Sequence, residues 1–150
     1  MGVLAATTAR APRFSCWLLR LVGLFTIASP FVADWNATHI YNPRWPPHAK
    51  FHNGQTMLLG VVLGLGTLWF AASPAATAPA RRVQLQAAAL LAAAYWLTQG
   101  FSGTFPGAAF IDPEFGPLPH VAGLPVQAFI DVVVLSLVGL AYYLGRERAE

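Results

Sequence analysis

Apolar residues in this chain run in long unbroken blocks rather than alternating with polar ones. The pattern predicts membrane-spanning helices and argues against an outer-membrane barrel, whose strands alternate. Four blocks stand out. The first, FSCWLLRLVGLFTIASPFVA over residues 14–33, is long enough at about 1.5 Å per residue to cross a ~30 Å hydrocarbon layer, with Arg20 placed to snorkel to the headgroups. A cleavable signal sequence is the rival reading, but the block is too long for one, and Phe31 does not suit a cleavage site ending at Ala33. The second block, 47–73, opens on Pro46-Pro47, where a first helical turn tolerates proline, and stops before Pro74. The third covers 83–101. The fourth, 124–145, carries Pro125 in its first turn and Gly145 at its end. The expected fold is all-α: an integral membrane four-helix bundle forming a single transmembrane domain over 1–150.

Charge sets the expected orientation. Arg10, Arg13 and Arg20, then Arg81 and Arg82 in the second loop, then Arg146 and Arg148 all fall on one side, against only Arg44 and Lys50 on the other. The positive-inside rule therefore places the N- and C-termini in the cytoplasm, with Trp35, Tyr41 and Trp45 forming an aromatic belt at the outer surface. The membrane is an inner or plasma membrane, or the ER membrane in a eukaryote. Gly60 and Gly64 form a GxxxG on the second helix, and alanines at 87–89 and 92–94 of the third also allow close approach. Packing within the chain is the ordinary use of such residues, and a homodimer is the alternative.

Composition narrows the function classes. Of 150 residues 56% are hydrophobic and 10% charged, against about 25% charged in an ordinary soluble domain, so a water-facing surface cannot be built from this chain. The net charge of +3 comes from scattered basic residues that form no strip able to track phosphates, which sets nucleic acid aside. Cys16 stands alone; it can make no intrachain disulfide and reads as a small apolar filler.

The titratable groups are distributed asymmetrically. His39, His48, His52 and His120 all lie on the expected outer side, together with Asp34, Asp112 and Glu114. His48 and His52 are spaced i, i+4 and project from one helix face, where a pair can chelate a metal, share a proton or grip an anion. Membrane di-iron oxygenases need about eight histidines, which four cannot supply. A single zinc or iron held by His48, His52 and one of His39, Asp34, Asp112, Glu114 or His120, with His39 the first candidate, is chemically suitable; the structural alternative is a cap of histidines bonded to loop carbonyls.

Asp131 lies about 10 Å along the fourth helix from its outer end, where an unpaired carboxylate costs a few kcal/mol. Gln127 precedes it by four residues, Tyr95 and Gln99 share a face of the third helix, and His52, Gln55 and Thr56 sit at comparable depth on the second. These groups predict one polar pocket in the outer leaflet. Asp131, His48 and His52 are its expected catalytic or proton-handling groups, and Tyr95, Gln99, Gln127, Gln55 and Trp45 its expected ligand contacts. Histidine titrates near neutrality and a carboxylate in low dielectric favours its neutral form, so the two types can divide acid and base roles. The third loop carries Pro106, Pro113, Pro117 and Pro119 with repeated glycines. It is too apolar for a solvated linker and is expected to fold back as a lid bearing Asp112, Glu114 and His120.

The stretch THIYNPRWPPHAKFHNGQ, residues 38–55, resembles the signature of an uncharacterised family of small four-helix membrane proteins of bacteria and fungi. The general layout is also similar in architecture to the sterol-isomerase and sigma-2 receptor fold and to the small DoxX-like proteins. That similarity implies a polar outer-leaflet cavity and transfers no catalytic position. The expected function is binding of a lipophilic small molecule among membrane lipids, with isomerisation or protonation as the chemistry that would suit it. The alternatives are a metal-binding component using the histidine motif, and a structural partner subunit.

Overall fold

The computed structural model describes residues 13–146; Arg10, Arg148, Glu147 and Glu150, which enter the charge asymmetry, lie outside the described residues. Four helices follow one another: α1 (Arg13–Asp34), α2 (Pro47–Ala72), α3 (Ala78–Ser102) and α4 (Val126–Arg146). Three of them, α1, α2 and α4, are long and apolar enough to cross a membrane. The third differs from the expectation of four such spans, because Arg81, Arg82, Gln84 and Gln86 in its first turns and Tyr95, Thr98, Gln99 and Ser102 toward its end dilute the apolar block.

Local chemistry explains the shifted boundaries. Pro46 is extended ahead of α2 and Pro47 enters its first turn, where the missing N–H costs nothing. α3 starts at Ala78, five residues before the apolar block, because the Thr77 side chain caps it by accepting from the Ala80 N–H at 3.3 Å. Arg81 therefore sits in a helical turn rather than a loop. It is buried and donates to Ser73 O, Gln84 Oε1 and Cys16 Sγ at 3.2, 3.3 and 2.7 Å. Cys16 is thus a hydrogen-bond acceptor for a buried guanidinium, not the inert filler that its neighbours in sequence imply. At the fourth helix, Leu124 and Pro125 pair with His120 and Val121 as two short antiparallel strands, β1 (His120–Val121) and β2 (Leu124–Pro125), so the helix begins at Val126 and Pro125 lies outside it. Ala122 and Gly123 make the turn with φ of 50° and 80°, the positive pair that two-residue hairpins favour.

The buried residues of α2 are Asn53, Met57, Gly60, Gly64, Thr67 and Ala71, a stripe stepping alternately by four and three. α1 lies directly on it. A Cβ on Gly64 would stand 2.5 Å from both Gly23 O and Ile27 Cγ1, and one on Gly60 would stand 2.8 Å from Thr26 O. The GxxxG face is therefore occupied within the chain. On α4 the stripe is Asp131, Val134, Val138, Ala141 and Gly145, and a Cβ on Gly145 would stand 2.7 Å from Leu85 Cδ2 and 3.1 Å from Ser15 Oγ.

α1 and α3 are tied by a buried relay in which Trp96 Nε1 donates to Thr26 Oγ1 at 2.9 Å and that hydroxyl donates to Val22 O at 2.9 Å. Phe25 stacks on Trp96 with ring centroids 5.2 Å apart. The outward faces are apolar on all four helices, with Val62, Trp69, Leu90 and Val132 all exposed, a distribution that suits lipid rather than water.

The α1/α2 contact predicts a sharp contrast between two glycines of one helix. Gly64→Ala must push α1 outward and should destabilise the detergent-solubilised protein by about 1–3 kcal/mol. Gly54→Ala, which meets nothing within 4 Å, should be neutral or stabilise by up to about 1 kcal/mol. Thermal unfolding of both variants checks this.

Candidate functional site

A cavity of about 610 Å³ lies between α1, α3 and α4 at the end of α1 that carries Asp34, a size typical of small-molecule sites. α1 supplies Phe25, Ser29, Val32 and Asp34, α3 supplies Tyr95, Trp96 and Gln99, and α4 supplies Gln127 and Ile130; Thr56 of α2 and two loop residues, His39 and Phe110, complete most of the wall. Tyr95, Gln99 and Gln127 are thus brought together as the sequence predicts, and Thr56 joins them.

The loops form a cross-braced roof. Asn36 Oδ1 accepts from the Thr38 N–H at 2.8 Å and from Thr38 Oγ1 at 2.6 Å, while Asn36 Nδ2 donates to Ala33 O at the end of α1. Asn42 is buried; its Oδ1 accepts from the Arg44 N–H at 2.9 Å, and its Nδ2 reaches Glu114 Oε1 at 3.4 Å. Arg44 and Glu114 form an ion pair across the two loops. The third loop therefore does fold back: Phe110 enters the cavity wall and its carbonyl accepts from Gln127 Nε2 at 3.0 Å. The acidic and histidine groups expected on this lid point elsewhere. Glu114 is spent on Arg44, Asp112 is exposed, and His120 is exposed with Nδ1 against Leu118 O at 2.8 Å.

Asp34 and His39 are the titratable pair of the wall. Asp34 Oδ2 accepts from Asn53 Nδ2 at 2.7 Å. Thr38 Oγ1 gives its one proton to Asn36, so it accepts at 2.7 Å from His39 Nδ1–H, and His39 Nε2 turns toward Asp34 Oδ1 at 3.7 Å. That separation is too long for a hydrogen bond.

His48 and His52 stand apart from this cavity. They are exposed on α2 with their Nε2 atoms 3.0 Å apart, and His52 Nδ1 meets Gln55 Oε1 at 3.1 Å. Since Gln55 Oε1 only accepts, His52 carries its proton on Nδ1 and His48 Nε2–H donates to His52 Nε2. Gln55 lines a different, shallow groove on α2 with Lys50, Phe51 and Leu58. His39 does not join the other two histidines, and among the described residues no group of three His, Cys, Asp or Glu side chains is placed to hold a metal ion. Trp45 touches the wall indirectly, edge-on to the His39 ring at 5.0 Å.

Asp131 sits one layer behind the cavity. It is only 5% exposed, and neither carboxylate oxygen has a hydrogen-bond partner. Its Oδ2 lies against α3 where Gly100 has no side chain; a Cβ there would be 3.5 Å away. Gln127 Oε1 and Ser29 Oγ are also buried without partners. Sequence reasoning singled out Asp131, Tyr95, Gln99 and Gln127 but missed Ser29, Phe25, Trp96 and Phe110. Ser29 was detectable four residues before Ala33 and three after Thr26, on the one polar stripe of α1. The aromatic walls carry no sequence signal that distinguishes them from lipid-facing rings.

An unpaired buried carboxylate is a stability cost. Asp131→Val should raise the unfolding free energy by about 1–3 kcal/mol, measured by thermal denaturation in detergent; an unchanged or lowered midpoint would contradict the absence of a partner.

No curated protein and no solved structure matches the chain. A family match does exist, and it spans every residue that lines the cavity. Over residues 20–150 the chain belongs to a family of unknown function, DUF6640.

Proposed function

We propose that this is a multi-pass membrane protein, a four-helix bundle with both termini in the cytoplasm, which binds a lipophilic small molecule in the cavity between α1, α3 and α4. α3, although less apolar by composition, packs along α2 and α4 and touches α1, which supports its crossing with them. Its two arginines then lie at the cytoplasmic end, and the roof of loops at the outer surface.

The observation that carries the reading is the unsatisfied polarity of one apolar-walled cavity. Buried polar groups are ordinarily paired. Here Ser29 Oγ and Gln127 Oε1 are not, and both residues line a space of about 610 Å³ that also holds the Tyr95 hydroxyl and the Gln99 amide. A mostly apolar ligand with a polar end matches that wall. An apolar groove of about 380 Å³ between α1 and α4 shares Phe25 and Ile130 with the cavity, which supports access from the lipid side. Asp131, buried one turn after Gln127 on α4, is the proposed proton-handling group.

The pocket reading is tested by mass spectrometry of small molecules that co-purify with the detergent-extracted protein. Wild type should carry a defined lipophilic species near one per chain, and Ala28→Phe, which fills the cavity from α1, should reduce it by about tenfold or more. Equal retention in Ala28→Phe would overturn the reading.

A second reading is favoured by the His48/His52 pair. Two imidazoles on one tetrahedral zinc place their nitrogens about 3.3 Å apart, close to the 3.0 Å seen, and Gln55 orients His52 as an outer-shell acceptor does. A single zinc or iron would take water or a second chain for its remaining positions. Metal analysis should then find near-stoichiometric metal in wild type and none in His48→Ala/His52→Ala; metal-free wild type would remove this reading.

A further inference from the structure

The charge of the cavity wall selects among lipophilic ligands. Of Asp34's two oxygens, Oδ2 is held by Asn53, but Oδ1 receives no hydrogen bond, its nearest cationic candidate being His39 Nε2 at 3.7 Å. Asp34, a lining residue of the cavity, thus keeps one carboxylate oxygen with spare acceptor capacity. Tyr95 lines the same wall as Asp34. Among the described residues no Lys or Arg lines the cavity, and Arg44 in the roof is engaged by Glu114. His39 is the one basic group of the wall, and with its proton on Nδ1 against Thr38 it turns a lone pair rather than a cation toward Asp34, which is left as the wall's carboxylate. Four aromatic rings, Phe25, Tyr95, Trp96 and Phe110, supply the remainder of the surface that a cation prefers.

We propose that the ligand is a lipophilic amine whose ammonium group is seated on Asp34 Oδ1 beside the Tyr95 hydroxyl, with its apolar body against Phe25, Trp96 and Ile130. The inference rests on the pocket reading above and adds the class of ligand. An ammonium donates to the open oxygen as a charge-assisted hydrogen bond, which a neutral alcohol of the same length cannot equal. A carboxylate ligand would bring a second negative group beside Asp34 into a wall where the described residues offer no arginine or lysine. A phospholipid headgroup fails on the same ground, because its phosphate would find no cation in the wall.

The test uses full-length protein in nanodiscs and three probes of equal chain length: dodecylamine, which is protonated at pH 7 as a lysine side chain is, dodecan-1-ol and dodecanoic acid. Heats of binding are measured by titration calorimetry, with empty nanodiscs subtracted. The amine should bind about ten- to a hundredfold more tightly than the alcohol, and the acid should bind most weakly. Asp34→Asn keeps an acceptor for Asn53 and should bring amine and alcohol to parity, while Gly54→Ala should leave the ranking unchanged.

Equal binding of amine and alcohol by wild type, or tighter binding of the acid, overturns the amine assignment while leaving the pocket reading intact. That comparison needs no variant, so a folding defect in Asp34→Asn does not protect the proposal. If none of the three probes binds wild type above Ala28→Phe, the pocket reading falls, and the amine assignment with it.

Discussion

The direct contact between the α1 and α2 backbones determines where the other helices can stand. Gly23, Gly60 and Gly64 let α1 settle on α2 without intervening side chains, a short-range gain that dispersion rewards only at such approach. At the Ser15 end of α1 the same economy holds on its other side, because Gly145 of α4 abuts both Ser15 and Leu85. No equivalent small-residue contact joins α1 to α3 or α4 near Asp34. There the helices are separated by the large rings of Phe25, Trp96 and Tyr95, and the space left between them is the cavity. One tight end and one open end follow from where the glycines fall.

Most buried polar side chains make at least one hydrogen bond, although Arg20 Nε, Arg81 Nε and Asn53 Oδ1 individually lack a partner. Arg81 is anchored by three acceptors, Thr26 and Trp96 satisfy each other, and the loop residues from Asn36 to Arg44 are cross-bonded to the third loop. Those groups are explained by the fold they hold together. Asp131 and Ser29 are not, since none of their side-chain oxygens has a partner within the chain. Helix pairing would have placed donors opposite them, as it did for Thr26. A carboxylate left in this state is unfavourable for the isolated protein, and the proposed proton-handling role rests on that cost.

Much of this was legible in the sequence. The four helices followed from apolar blocks, and the convergence of Tyr95, Gln99 and Gln127 followed from i, i+4 spacing on α3 and from position along α4. The histidine pair was placed less well, although the information was present. The stripe Asn53, Met57, Gly60, Gly64 extends the GxxxG pattern back to the start of α2 and assigns His48, His52 and Gln55 to the opposite, exposed face. Reading that stripe only from Gly60 onward hid the consequence. The shift of Arg81 into a helix depended on one capping threonine, and the role of His39 depended on an Asn36–Thr38 turn. Both are loop events that periodicity does not encode.

The cross-bonded roof and the groove between α1 and α4 together alter what an affinity measured in water would mean. On the proposed function, with Arg44 and Glu114 clasped above, a ligand would reach the cavity past Phe25 and Ile130, from a hydrocarbon phase in which it is already concentrated. Its apparent strength of binding is then the product of a partition coefficient and a modest local association. Each added methylene contributes to the first factor by about 0.8 kcal/mol whether or not it touches protein. Selectivity for such a molecule resides in the few polar atoms at its head.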